Sequence, residues 1–411
     1  MKIVIYGINY APELTGIGKY TAEMAEWLGS AGHDVRVITA PPYYPKWEVY
    51  EGFNKFLYSK EKIRNVLVWR CPIYVPSHPT GFRRIIHLAS FAISSVPLLI
   101  KHIFWNPAVI LCIEPPLVCA PGALGFATLV KAKTWLHIQD YEVDAALELG
   151  LLPAELNGLL KKFECWLLRR FDVVSTISRS MVNKLSIKGV ENSRQKLLPN
   201  WSNLDIVTLN RNDGVAFRAK HRISNLDYLV LYSGNMGEKQ GLEMIIQAAR
   251  LVAHKGRIHF LLCGDGSQRV KLETMAKDMN LTNMSFMPLQ PLGEFSKLLN
   301  AADVHLVIQK KGTADMVMPS KVSNIIAAGG VSLITADSDS ELGLLLLNNP
   351  FLGVRVEPEN VTEFVSALVR MAESSVRIDR PRIRSFALEN FEYKEIMITM
   401  EQDLLALDAI S

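Results

Sequence analysis

The chain has 411 residues, 49% of them apolar and 21% charged, a composition that fits a globular protein and excludes a disordered one. That length favours two or more domains, and a net charge of +4 is too slight a bias for a dedicated nucleic-acid binder. Five cysteines with no CxxC pair give neither a disulfide framework nor a zinc site and suit a reduced compartment.

After Met1 and Lys2, the apolar run Ile3 to Tyr6 ends at Gly7, far short of a signal-peptide core of about 7–15 residues, and reads as a buried strand at 2–6. Further β-rich apolar runs predict strands at 34–39, 65–70, 108–113, 133–138, 172–176 and 194–198. Helical periodicity fills the intervals at about 17–30, 83–103, 118–131, 155–170 and 178–188. Tyr20, Met24, Trp27 and Leu28 share one face of the first helix. Residues 85–100 (IIHLASFAISSVPLLI) are sixteen, interrupted by a histidine, three serines and a proline, where a spanning helix needs about 20 apolar residues. Spanning is not expected, and a buried helix or one lying in a membrane surface both fit.

From Asn200 to Asp227 the chain is polar and offers a domain boundary. The grammar then restarts at Tyr228, where YLVLYSGN reads as a buried strand entering a glycine-rich turn, with further strands at 257–263, 284–287, 303–308, 331–335 and 353–356 and helices near 242–254, 267–279, 292–300, 320–328 and 339–347. Helices follow from about Val361 to the end. Both halves open with a strand, a glycine-containing loop and a helix. The expected class is α/β, two Rossmann-like doubly wound domains facing a central cleft. We take 1–205 as the first domain, 206–380 as the second, and 381–411 as helices crossing back towards the first.

Four motifs carry chemistry. Gly16 and Gly18, just before the first helix, free backbone amides for an anion, although a tight turn explains them equally well, and Thr21 at the third position spoils a dinucleotide fingerprint. The loop Gly234-Asn235-Met236-Gly237-Glu238-Lys239-Gln240-Gly241 follows a buried strand directly. Its glycines and Lys239 suit a diphosphate, and it lacks the GK[ST] of a P-loop. Ser320 and Lys321 open another helix. A serine cap is ordinary there, but a lysine opposes the helix dipole and asks for an anion. His137 ends the strand TWLHIQD, where open parallel sheets bind ligands, or else it is a core histidine. Asp337-Ser338-Asp339 has the DxD form used to hold a metal with a nucleotide diphosphate. Here Ser338 or Asp339 is more simply a helix cap, so no metal site is expected.

Taken in order, YAPELTGIGKYTAEMAEWLGSAGHDVRVIT, WLHIQD, LLPNWSN, YSGNMGEKQGLE, CGDG and MPSKVSNIIAAGG resemble the GT-B glycosyltransferases of family four over essentially the whole chain, and within them a bacterial exopolysaccharide branch. The resemblance implies a retaining, metal-independent and cofactor-free transferase. Its donor is a nucleoside-diphosphate sugar, GDP-fucose first, held mainly by the second domain, and its acceptor is a polyprenyl-diphosphate-linked saccharide held by the first. It also implies a cytoplasmic enzyme peripheral to the inner membrane, with no nucleic-acid partner. By position, His137 and Lys239 are the catalytic pair. Gly16, Gly18, Gly234, Asn235, Ser320, Lys321 and Asn324 meet the donor. Asn235 stands where many members have arginine, and the Glu-x7-Glu motif falls on Met316 and Asn324. For the membrane and acceptor, Arg83 and Arg84 flank the apolar helix, and Lys161, Lys162, Arg169 and Arg170 share half of another. A nucleotide-sugar epimerase, a nicotinamide oxidoreductase and a non-catalytic scaffold are the competing readings.

Overall fold

A computed structural model describes the chain apart from residues 14–15, 79, 149–156, 312–320, 375–377 and 410–411, and apart from the side chains of 145, 146, 148, 239 and 292. Two compact units emerge, Met1–Pro199 with Met397–Ser411, and Asn200–Ile396.

The first unit runs β1 (Lys2–Tyr6), α1 (Gly16–Ser30), β2 (Asp34–Thr39), β3 (Ser59–Ile63), β4 (Val66–Arg70), α2 (Gly81–Ile103), β5 (Val109–Glu114), α3 (Ala120–Val130), β6 (Lys133–Ile138), α4 (Glu142–Glu148), α5 (Asn157–Leu168), β7 (Val173–Thr176), α6 (Arg179–Ile187) and β8 (Gln195–Leu197). Its sheet has the order β3-β4-β2-β1-β5-β6-β7-β8. Every pairing is parallel except β3 with β4. A parallel sheet covered on both faces needs apolar residues at nearly every position, and β5 (VILCIE) is buried throughout. β3 (SKEKI) is the opposite case: a charged, mostly exposed edge strand, invisible to a search for apolar runs but well suited to deter edge-to-edge pairing.

The two faces of this sheet differ. Right-handed crossovers put α1 on one face and α2, α3, α5 and α6 on the other. On the α1 side, the chain's last helix supplies Glu401, which accepts a hydrogen bond from Trp27 Nε1 (3.2 Å) and pairs with His33 Nε2 (3.0 Å). On the other side, α2 is 23 residues, long and apolar enough to cross a membrane by length and composition alone. One stripe of it (His87, Phe91, Ser95, Leu98, Leu99, His102) is buried within the unit, while Phe82, Ile86, Ile93, Val96 and Ile100 recur at helical spacing on the exposed side.

The second unit runs α7 (Arg211–Lys220), β9 (Tyr228–Ser233), α8 (Glu243–Val252), β10 (Ile258–Cys263), α9 (Arg269–Asp278), β11 (Met284–Met287), α10 (Leu292–Ala301), β12 (Val304–Val307), α11 (Lys321–Ala327), β13 (Ser332–Thr335), α12 (Glu341–Asn348), β14 (Gly353–Val356), α13 (Val361–Glu373), α14 (Arg380–Phe391) and the first residues of α15 (Tyr393–Ala409). Its sheet is wholly parallel, in the order β11-β10-β9-β12-β13-β14. α7 lies inside the polar segment read from sequence as a domain boundary. It buries only Gly214, Phe217 and Arg218, too little for an apolar stripe to show. Gly214 is obligatory there, since a Cβ would lie 2.3 Å from the Asn300 carbonyl oxygen.

Candidate functional site

In doubly wound sheets, ligands bind outside the carboxyl ends of the strands, where the strand order reverses. That point lies between β1 and β5 in the first unit and between β9 and β12 in the second.

At the first switch point, Gly7 packs against β5 so closely that a Cβ would lie 2.9 Å from Ile113 Cβ. Gly16 opens α1 at φ +65°, and a Cβ on Gly18 would meet Glu13 Oε2 at 2.5 Å. Glu13 is buried. Its Oε1 accepts from the backbone N–H groups of Tyr43 (3.0 Å) and Tyr44 (3.1 Å), and its Oε2 from Asn9 Nδ2 (3.0 Å). His137 is also buried. With Gln139 Nε2 donating to its Nε2 (2.9 Å), the ring proton lies on Nδ1 and is donated to Ser175 Oγ (2.9 Å). Burial lowers its pKa to about 3, so the imidazole is neutral at any working pH. Both ring nitrogens are spoken for, and the ring reaches the strand end only through Gln139. Glu114 ends β5 with neither carboxyl oxygen hydrogen-bonded. Burial, then the neighbouring Glu164 and Glu142 carboxylates, raise its pKa well above the usual range, which makes it a neutral acid.

The second switch point is built of glycines and amides. The Gly234 N–H donates to the Cys263 carbonyl (2.9 Å), Met236 N–H to Asp265 (2.8 Å) and Gln268 N–H to Met236 (2.9 Å). These bonds lock the turns after β9 and β10 together. A Cβ on Gly264 would lie 1.9 Å from the Gly234 oxygen, and one on Gly266 would lie 2.6 Å from Asn235 Oδ1. Lys321, at the start of α11, lays its ammonium over the Tyr232 ring at 4.0 Å. The same ammonium stands 3.9 Å from the position a Gly234 Cβ would take. Desolvation lowers the Lys321 pKa to about 7, so the group is poised to gain a proton beside an anion. Asn324 Oδ1 accepts a hydrogen bond from Ser202 Oγ (2.8 Å).

Thus Gly234, Asn235 and Lys321 converge in the second unit, and Gly16, Gly18 and His137 lie along one edge of the first. Ser320 and the Lys239 side chain lie outside the described residues. Arg83 and Arg84 are exposed in the first turn of α2, with Arg84 over the Trp47 ring at 5.6 Å. Lys161, Lys162, Cys165, Trp166, Arg169 and Arg170 line a cleft of about 460 Å³ along α5. The expected cap of α12 needs correction: Ser340, not Ser338 or Asp339, is the cap, accepting from the Gly343 N–H (3.1 Å). Its hydroxyl bonds the Asp337 carbonyl at 2.6 Å, an attachment a serine three residues before the capped amide makes and the DxD residues are too early to make. Among the described residues, no three His, Cys, Asp or Glu side chains group as a metal site. Sequence reasoning passed over Glu13, Glu114, Gln139 and Tyr232. Glu13 was visible in YAPELTG, but an acid before a glycine turn reads as solvated loop.

Two Rossmann-like sheets, each reversing its strand order at a central switch point, make the architecture of a GT-B glycosyltransferase. Residues 15–201 match the glycosyl transferase 4-like domain and residues 215–385 match glycosyl transferases group 1. The chain belongs to the family-four glycosyltransferases, and the epimerase alternative finds no support. It is 48% identical over 373 residues to the putative colanic acid biosynthesis glycosyl transferase WcaI of Escherichia coli (strain K12), covering 90% of this chain and 91% of that one. It is 24% identical over 244 residues to the probable glycosyltransferase WbjE of Pseudomonas aeruginosa, covering 59% and 58%. Sucrose-phosphate synthase from Thermosynechococcus elongatus shares the fold at TM-score 0.77, with 16% identity and full coverage of both chains. Anabaena Alr3699/HepE in complex with UDP-glucose does so at 0.72, with 12% identity, covering 99% of this chain and 100% of that one.

Proposed function

We propose that the protein transfers fucose from GDP-fucose to a saccharide on polyprenyl diphosphate, in synthesis of a colanic-acid-type exopolysaccharide at the cytoplasmic face of the inner membrane. Transfer retains the anomeric configuration and needs no metal. The observation that carries the donor half of this reading is the Lys321 ammonium held over the glycine turn at Gly234. A departing diphosphate gains negative charge in the transition state, and preorganised amides and cations are what stabilise it. Lys239 and Lys321 supply the cations, and Gly234, Asn235, Ser320 and Asn324 the polar contacts. Gly16 and Gly18 let the acceptor approach the diphosphate. His137 acts through Gln139, as a positioning residue on the sugar side. Similarity to a relative named for colanic acid biosynthesis supports the pathway.

A donor panel tests this: UDP-, GDP- and dTDP-sugars with membranes carrying the natural lipid-linked acceptor. GDP-fucose should give the product, with its anomeric configuration retained. Turnover with UDP- or dTDP-sugars alone replaces the donor assignment, and an inverted product overturns retention.

The membrane half rests on the first unit. α2 and α5 share a face of its sheet, one offering exposed Phe82 beside Arg83 and Arg84 and exposed Ile93 and Ile100 between them and Lys101, the other the Lys161-to-Arg170 cleft with half-exposed Trp166. Basic groups near an anionic leaflet are worth about 1 kcal/mol each, and burying apolar side chains adds to them. The protein should pellet with vesicles of anionic lipid and much less with neutral ones. Neutralising Lys161, Lys162, Arg169 and Arg170 together should weaken pelleting and leave GDP affinity unchanged. Indifference to anionic vesicles at low salt makes a soluble acceptor the better reading.

A further inference from the structure

Glu13 joins two segments that leave the carboxyl ends of neighbouring strands. One is the loop from β1 to α1, to which Glu13 belongs and where Gly18, in the first turn of α1, leaves it room. The other is the turn after β2, whose Tyr43 and Tyr44 amides both donate to Glu13 Oε1. That turn carries an aromatic shelf. The Tyr43 ring stands edge-on to His87 at 4.7 Å, Trp47 lies 5.1 Å from His87, and Arg84 stacks over Trp47. Trp47 holds φ +57°, a conformation that costs a bulky residue energy and persists only where the surroundings impose it. Elsewhere the turn is tied by Tyr50 Oη donating to the Tyr44 carbonyl (2.7 Å) and the Tyr50 N–H to Pro42 (3.0 Å). Glu13 bonds its Tyr43 and Tyr44 amides to the glycine side, where Arg70 adds a second tie by donating to the Ala11 and Ala40 carbonyls.

We propose that the ionised Glu13 carboxylate is a positioning residue for glycosyl transfer, locking the Tyr43–Trp47 turn against the glycine turn so that the acceptor edge of the first sheet keeps its working shape. The assignment of the acceptor to this edge rests on the reading above; the lock itself does not. Only the ionised form accepts from all three donors at once. A protonated carboxyl would set its own O–H against the Asn9 amide or the Tyr43 and Tyr44 N–H groups. Burial raises the Glu13 pKa to about 7, against the lowering by its hydrogen bonds and by Arg70. Arg70 is the cation that faces it, itself bonded to the Ala11 and Ala40 carbonyls and paired with Glu61, and the other titratable neighbours are Tyr43, Tyr44 and Tyr50. Those phenols have raised pKa values and stay neutral. The lock therefore closes as pH rises through neutrality.

Glu13→Gln separates shape from charge. Its Oε1 can still accept from Tyr43 and Tyr44, but its amide N–H meets the Asn9 amide as the protonated carboxyl's O–H does, so with no proton to lose it holds the low-pH state at every pH. Two measurements on the full chain test the lock. Hydrogen exchange reads the Tyr43 and Tyr44 amides without any substrate: their protection should fall about tenfold from pH 8 to pH 6 in the wild type, as expected for one ionisation near 7, and should not change with pH in Glu13→Gln. Transfer from whichever donor the panel supports should lose the same tenfold below neutrality, in kcat more than in the donor KM, and Glu13→Gln should flatten that limb. Glu13→Ala should leave both amides unprotected at either pH. An acidic limb that persists in Glu13→Gln, or Tyr43 and Tyr44 protection that ignores pH in the wild type, overturns the proposal. If no donor is turned over, the donor reading fails, and the exchange result alone decides the lock.

Discussion

The two sheets share one strand order about their switch points yet carry opposite chemistry there. The second unit gathers closely packed glycines and the Lys321 ammonium, a group that favours an anion. The first gathers buried acids, Glu13 and Glu114, and a neutral His137. Strand order thus decides where a ligand can sit, and the residues at the strand ends decide its charge. In the function proposed above, the nucleoside diphosphate falls to the second edge and an uncharged saccharide hydroxyl to the first.

The hardest test of that contrast is the loss of a cation from the anion site. Lys239→Ala should lower turnover by roughly 100-fold, measured in the donor assay, if its charge acts mainly on the leaving diphosphate. Lys239→Arg need not rescue it, because the guanidinium fork has a different reach. Turnover close to normal transfers the role to Lys321. In that case, because Lys321 titrates near neutrality, nucleotide binding should take up a proton and weaken as pH rises above about 7, which calorimetry in two buffers reads.

A smaller effect sharpens the contrast between the units in acid. Burial lowers the pKa of His137 and His305 to about 3 and of His87 to about 4. A base depressed in the fold contributes stability above its unfolded value of about 6.5, and that stability is lost as pH falls below it. Both units carry this liability. Raised carboxyls run the other way: their contribution is complete below about 4.5 and is lost as pH rises through the folded value, about 7 for Glu13. Glu13, Glu114, Glu142 and Glu164 all belong to the first unit. Between pH 6.5 and 4.5 they offset the histidines there, whereas His305 is not offset in the second unit. Each uncompensated proton is worth about 1.4 kcal/mol per pH unit. Hydrogen exchange at pH 5 should therefore show the second unit opening first. Simultaneous loss of both units would dissolve the distinction.

How much of this was legible in the sequence follows from where the signal lies. Strands β1, β2, β6, β11 and β14 were placed to the residue, because each is a short run rich in apolar and β-branched residues set off from its neighbours. The charged edge strand β3 and the weakly amphipathic α7 were not, because solvent faces most of their side chains or their buried stripe is too brief to repeat. At the site, glycines and lysines beside strand ends announced the anion edge. The acid edge stayed hidden. Glu13, Glu114 and Gln139 draw their roles from partners far off in the chain, such as Tyr43 thirty residues after Glu13, which no local pattern encodes.

The smallest expected effect concerns Asp337 and Asp339. A DxD in a nucleotide-sugar transferase invites a metal, and on that view the anion edge of the second unit would need a divalent cation to do what Lys239 and Lys321 are assigned here. The local geometry gives these aspartates a different setting. Ser340 caps α12, and what it takes from Asp337 is the backbone carbonyl, a group every residue has. Replacing both side chains by asparagine leaves that carbonyl, the cap and the helix start intact. The doubly substituted protein should therefore transfer sugar at the wild-type rate, and the wild type should do so in EDTA. Activity lost in EDTA and restored by manganese or magnesium would move the charge of the second edge from lysine to metal. The contrast between the two sheets would survive, but its cations would have been misassigned.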